Sequence, residues 1–393
     1  MKKNLLMTTF VFLLSFFIKG LFINKIPNSI SLQEIDLLHI FNVAPAVNDF
    51  SFRFVSVVVT SMMTVLLFNL IFLKTKNILL SLSASVVTIV SPWIIILSRT
   101  LNLHIFVLLI VVGMIFFIKN RKVRIFTIIF LLVLIRLVFI NNNFLSIKFE
   151  SILPSLISLF DLRTIFFHGD PLSPMLRIPL TGYFLYIDLF MFFCGIYYLF
   201  LSNQEKKLTT TMLDLLYLGL FFFIIVPSDI IMTVRSELVL LWINIIIGFG
   251  YYYIIIFLKK VNVLFLLTFI LIVFTNTAFY AESLINHFDK MNSVEWGYAE
   301  QATSKYLINN DKKQIYFSPS SDKAKRFLTF FEHDKKEYLT LQLNQLSKTC
   351  FGSNVICVLT EFDLNFINFN KNLLKINFGN DSGLPIYFIY PNQ

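Results

Sequence analysis

The sequence predicts an α-helical polytopic membrane protein of about nine transmembrane helices, followed by a small extracytoplasmic α/β domain. Three observations carry this expectation. Hydrophobic residues make up 57% of the 393 and charged residues 14%, with a mean hydropathy of +0.76. A soluble domain carries about 25% charged residues, so lipid must be the solvent for most of this chain. Apolar runs near the ~20 residues that cross a bilayer core recur along the first 281 positions. Basic residues gather at alternate ends of those runs.

The runs follow in order. The chain opens on Lys2 and Lys3, then is apolar over 5–23. No small-residue cleavage pattern follows, so this stretch reads as an uncleaved first helix. Further runs cover 52–73, 78–96, 101–118, 123–140, 179–201, 210–226, 238–258 and 262–281. The 78–96 run is short and ends at Ser91-Pro92-Trp93, and its boundary with the next is the least sharply marked. Mid-depth charges are confined to Asp188 and Asp214.

Charge sets the direction. With the N-terminus inside, each inner connection is basic: Lys74 and Lys76, then the Lys119–Arg124 cluster, Lys206 and Lys207, Lys259 and Lys260. The outer loops hold nearly all of the inter-helix acids, among them Glu34, Asp36, Asp49, Glu150, Asp161, Asp170 and Asp229. This is the positive-inside pattern of a cell-membrane protein, and it places residues 282–393 outside. The net charge of +10 therefore reads as topology, and no nucleic-acid partner is expected.

The chain divides into a membrane domain over 1–281 and an α/β domain over 282–393. Helical patterning over 295–308 and 322–331 alternates with strand-like Gln314–Phe317, Val355–Leu359 and Pro385–Tyr390. Cys194 lies in an apolar run and reads as a core residue. Cys350 and Cys357 lie in the tail, where either a disulfide or two unpaired thiols fits.

Chemistry is sought at the outer face. The first loop carries Glu34, Asp36 and His39, which fit a general base, a metal site or a hydroxyl-binding site. The competing reading is an amphipathic interfacial helix over 32–41. The second long loop carries His168, Gly169, Asp170 and several prolines, a composition that shapes either a cavity mouth or a plain surface loop. Arg53, Arg99, Arg136 and Arg235 sit at helix edges. Arginine there either binds phosphate bidentately or snorkels to headgroups. No P-loop, HExxH, CxxC or GxSxG is present, so nucleotide-driven pumping and the hydrolases of those motifs lack support.

The order of these features resembles the polytopic membrane glycosyltransferases of the C superfamily (GT-C), in particular bacterial relatives of protein O-mannosyltransferases and aminoarabinose transferases. The resemblance runs through most of the membrane part. It begins with Gln33-Glu34 after the first helix, then Phe52-Arg53-Phe54 and Ser91-Pro92-Trp93 with Ser98-Arg99. It continues with His168-Gly169-Asp170, Gly182 and Gly195, then Arg235 with Gly248, and Trp296-Gly297-Tyr298 at the entry to the tail. Relatives carry Asp where this chain has Gln33, and a longer stretch than that between Glu34 and Arg53.

The resemblance implies transfer of a sugar from a polyprenyl-phosphate donor to a glycan, lipid or protein acceptor of the cell envelope, with inversion. Glu34 and Asp36 would supply the carboxylate base. Arg99, Arg235 and Arg53 would meet the donor phosphate, with His168 and Asp170 near the substrate. Membrane lipid is the other expected partner. No cofactor is named; either none or a divalent metal is compatible. The alternatives are a catalytically inactive GT-C scaffold in envelope glycan assembly and, less favoured by the nearly charge-free spans, a lipid or glycolipid transporter.

Overall fold

The computed structural model describes residues 2–21, 31, 34–35, 38, 51–100, 103–139, 157, 159–169, 178, 181–201, 206–225, 232–288, 297–309, 314–331, 338–350, 355–366, 374–377 and 385–391. It is mostly helical and divides into two compact units, residues 1–21 with 53–285 and residues 22–52 with 286–393.

Among the described residues the first unit is mainly helical. Its elements are α1 (Lys2–Gly20), α2 (Phe54–Thr75), α3 (Ile78–Val90), α4 (Pro92–Ser98), α5 (Leu103–Phe117) and α6 (Arg121–Phe139). A π-helical turn (Thr164–His168) precedes α7 (Tyr186–Leu201), α8 (Lys206–Ile225), α9 (Met232–Val261) and α10 (Val263–Asn286). Among the described residues three helices are long and apolar enough to cross a membrane: α2, α9 from Ser236, and α10. The α3–α4 pair, bent by 61°, makes a fourth if counted as one span. Several long apolar helices thus point to a multi-pass membrane protein.

The bend has a local cause. Pro92 has no N–H to return to the preceding turn, and its ring disfavours helical geometry at Ser91. Ser91 is extended (φ −60°, ψ 128°), and Pro92 takes the first position of α4, where its lost donor is not missed. The run expected over 78–96 is therefore broken at its Ser-Pro step. In the 179–201 run residues 181–185 are not helical, and the helix begins at Tyr186.

α9 is the centre of the unit. A Cβ on Gly250 would overlap the Met191 carbonyl of α7, and one on Gly195 would overlap the Ile246 carbonyl of α9. These glycines let two backbones touch, the kind of packing that holds helices together where lipid removes the hydrophobic drive. α3 runs antiparallel to α9: Asn77 meets Tyr252, Ala84 meets Gly248 and Ser91 meets Asn244.

In the second unit the described tail forms a five-stranded mixed sheet. Its strands are β1 (Gln314–Phe317), β2 (Leu339–Thr340), β3 (Val355–Thr360), β4 (Leu374–Asn377) and β5 (Pro385–Pro391), in the order β2-β1-β3-β5-β4. β2, β1 and β3 are parallel; β5 is antiparallel to both of its neighbours. Helices α11 (Tyr298–Ile308), α12 (Asp322–Phe331), α13 (Leu343–Thr349) and α14 (Glu361–Phe366) connect and cover the strands. One core joins Ala299, Phe317, Leu328, Val358 and Ile389. A second joins Leu346, Val355, Leu359 and the cysteines. Cys350 and Cys357 form a disulfide with Cα atoms 5.8 Å apart, tying the end of α13 to β3.

The parallel strands end on a polar lock. Asp363 accepts from the Ser318 hydroxyl at 2.6 Å, the Ser320 hydroxyl at 2.5 Å, and the Thr360 amide and hydroxyl at 2.7 and 2.9 Å. Thr360 and Asp363 stand three residues apart at the start of α14, the spacing of a capping box, and the serines pull the loop after β1 onto the same carboxylate. Glu300 is also buried and paired: it accepts from the Tyr387 hydroxyl at 3.1 Å and meets Lys323 at 3.2 Å.

Candidate site at the end of the first helix

α1 and α2 lie antiparallel, since Thr8 meets Asn69 while Lys19 meets Thr60 and Thr64. The last turn of α1 therefore lies beside the first turns of α2. A helix end leaves carbonyls without partners, and in a lipid-facing protein each needs one from the protein itself. Arg99, just past α4, meets that need: its Nη2 donates to the Leu21 carbonyl at 2.6 Å. The guanidinium also complements the negative end of the α1 dipole.

Two more cations sit at this end. Lys19 is fully buried, with Nζ donating to the Thr60 carbonyl at 2.9 Å and the Thr64 hydroxyl at 3.0 Å. Both partners are neutral oxygens. Arg53 closes a 3-10 turn (Ser51–Arg53) ahead of α2 and is also fully buried. The Phe54 ring next to it stacks edge-on against Phe16 of α1 at 5.0 Å, which fixes Arg53 to the same end. Tyr280 of α10 is buried within reach of the Arg99 charge, and its hydroxyl has no hydrogen-bond partner among the described residues. A buried cation whose partners among the described residues are a carbonyl and a hydroxyl, as those of Lys19 are, retains most of its charge, and an anion brought beside it would be strongly favoured.

The first-loop carboxylate is placed in the second unit. Glu34 is fully buried; it accepts from the Ser31 amide at 3.1 Å and the Ser31 hydroxyl at 3.4 Å, while its own amide donates to that hydroxyl at 3.2 Å. Ser31 and Glu34 thus form a reciprocal capping box. The expected interfacial helix over 32–41 is described as helical at Glu34, Ile35 and Leu38. Asp36, His39 and Asp170 lie outside the described residues, as do the side chains of Arg136 and Arg235, although Arg235 falls in the first turn of α9. His168 ends the π-helical turn and is exposed.

The two mid-depth acids have clear occupations. Asp188, in the first turn of α7, accepts from the Leu185 amide at 3.0 Å and the Tyr251 hydroxyl at 2.8 Å. Asp214 is clamped by Arg121 at 2.7 Å and Arg124 at 2.5 Å. Sequence reading passed over Lys19 and Tyr280. A lysine inside the first apolar run was the available signal, but its partners lie 41 and 45 residues away. Among the described residues no group of three His, Cys, Asp or Glu side chains comes together as a metal site.

No protein-family model matches this chain, and no curated protein matches it in sequence.

Proposed function

We propose that the chain is a GT-C-type membrane glycosyltransferase that moves a sugar from a polyprenyl-phosphate donor to a cell-envelope acceptor on the outer face. The observation that supports this reading is the gathering of Lys19, Arg53 and Arg99 at one end of α1, with Lys19 held, among the described residues, by neutral oxygens. In glycosyl transfer from a lipid phosphate, charge develops on the departing phosphate oxygen. Fixed cations in a water-poor site lower that barrier most. Lys19 and Arg99 would meet the leaving phosphate, with Arg53 and Arg235 as further candidates. A carboxylate, Glu34 or Asp36, would take the proton from the acceptor hydroxyl as it attacks the anomeric carbon. The nine-helix arrangement, inside N-terminus and outer tail belong to the same proposal.

The test uses full-length protein in vesicles with radiolabelled polyprenyl-phosphate sugars, following release of the carrier phosphate. Lys19→Met and Arg99→Gln are expected to cut kcat/KM by about a hundredfold or more, the usual cost of losing one charge-stabilising donor. Turnover at the wild-type rate in both variants would refute the site.

The capping box at Glu34 favours a second reading, a catalytically inactive GT-C scaffold in envelope glycan assembly, because that carboxylate already serves its own helix start. Folded protein that turns over none of the donors and keeps its envelope partners would establish it.

A further inference from the structure

An elongated cavity of about 570 Å³ separates α10 from α3, α7 and α9. Its walls run from Leu79 to Val90 on α3 and from Leu266 to Thr277 on α10. Eleven helical rises of 1.5 Å make both walls about 16 Å long, half of the ~30 Å hydrocarbon core and so about one leaflet deep. The slot opens sideways, because Leu79, Val86, Ile270 and Phe274 on its rim are exposed. α10 leans on the bundle little: only 6% of its apolar span is buried, and it meets α7 and α9 through the ring pairs Phe279–Tyr186 and Phe269–Tyr251.

The polar side chains of the wall decide what the slot can hold. Among the described residues there are four: Ser83, Asp188, Tyr251 and Thr277. Ser83 donates to the Leu79 carbonyl and Thr277 to the Val273 carbonyl, each at 2.9 Å. Asp188 and Tyr251 bond to each other, and the second Asp188 oxygen takes the Leu185 amide. Each is thus already hydrogen-bonded within the protein. Water entering would lack the two to four partners that hold it in a cavity, and a sugar or phosphate would find no dedicated donor. A hydrocarbon chain loses nothing by entering.

We infer that this slot is a lipid-chain site, seating an acyl chain of a bilayer phospholipid that packs α10 to the bundle. The source is the phospholipid, since it is the bulk solvent of apolar spans with an exposed rim and the described wall offers nothing selective for a phosphate-linked isoprenoid. The inference is independent of the glycosyl-transfer proposal.

The test places the full-length protein in phosphatidylglycerol–phosphatidylethanolamine vesicles carrying a phospholipid with a mid-chain diazirine. Labelled residues are read by mass spectrometry after irradiation. Val87, Phe269 and Val273 are expected to label. Val87→Phe with Val273→Phe, which fills the slot, is expected to lower that labelling about tenfold, equivalent to about 1.4 kcal/mol of occupancy. Labelling at Phe265 and Ile272, exposed elsewhere on α10, should persist. Should the double variant fail to fold, Val273→Phe alone serves. Two results overturn the inference: slot labelling that survives filling, or slot labelling that polyprenyl phosphate displaces and unlabelled phospholipid does not.

Discussion

Replacing Asp214 by Asn should be the most destabilising conservative change in the helical unit. The carboxylate is 1% exposed and faces two arginines. Arg124 is 6% exposed and sits at 2.5 Å from one Asp214 oxygen; Arg121 is 55% exposed and donates from Nε and Nη2 to the other at 2.9 and 2.7 Å. Loss of the acid leaves the Arg124 guanidinium buried without its counter-charge, which costs about 3–5 kcal/mol. Arg124→Gln should cost less, about 1–3 kcal/mol, because Asp214 keeps Arg121. Arg121→Gln should cost little, since that side chain stays in solvent. The double variant Asp214→Asn/Arg124→Gln should recover at least about 1 kcal/mol of the summed losses, the coupling expected of groups in one network. Unfolding in micelles, followed by circular dichroism against denaturant, measures all four. Strict additivity, or an Asp214→Asn protein as stable as the wild type, would refute the reasoning.

Three other outcomes concern the tail. Replacing Cys350 and Cys357 by Ala opens a loop of about eight residues, and chain entropy puts the loss at about 2.5 kcal/mol; limited proteolysis with and without reductant checks it. Burial first, and the Glu300 charge and hydrogen bond second, raise the Tyr387 phenol above its ordinary range. Its contribution to stability is therefore complete below about pH 10, where the unfolded phenol titrates, and declines as pH rises beyond it; Tyr387→Phe should flatten that alkaline decline in a pH series of melting curves. Asp363→Asn weakens a carboxylate that holds four hydrogen bonds and should cost about 2–3 kcal/mol, seen as faster amide exchange in the loops after β1 and β3.

Local pattern carried much of the tail. Gln314–Phe317, the helix over 322–331, Val355–Thr360 and Pro385–Pro391 stand where aromatic and β-branched runs alternate with polar stretches. β2 has only two residues, and β4 reads Leu-Lys-Ile-Asn, too short for a period to declare itself. Both exist because a neighbouring strand supplies the ladder. Ser91-Pro92 stood out as an ill-marked run boundary, but its 61° bend did not. The partners of charged groups were the least readable. Asp214 looked like a lone acid at mid-depth, while its arginines lie 93 and 90 residues earlier in the chain. Lys19, inside the first apolar run, is fully enclosed. Arg99 stood out as an edge arginine, yet the carbonyl it caps belongs to a helix 78 residues away. Such pairings depend on which helices become neighbours, and hydropathy does not encode that.

The shortness of α3 bears on how the chain is made. Thirteen residues span about 20 Å, and the bent α4 adds little height toward the ~30 Å core. The face that α3 presents to Gly248 is not yet covered when it leaves the ribosome, because that glycine is about 160 residues downstream. At 5–20 residues per second the wait is roughly ten to thirty seconds. During it the helix has α1 and α2 beside it but not α9. Ser81, Ser85 and Thr88 each return their hydroxyl to a carbonyl of the preceding turn, at 2.8 Å, so no polar side chain among these three waits for its mate. These three hydroxyls are thus provisioned from within the helix's own turns, and α9 arrives to supply partners at the two ends, Tyr252 to Asn77 and Asn244 to Ser91.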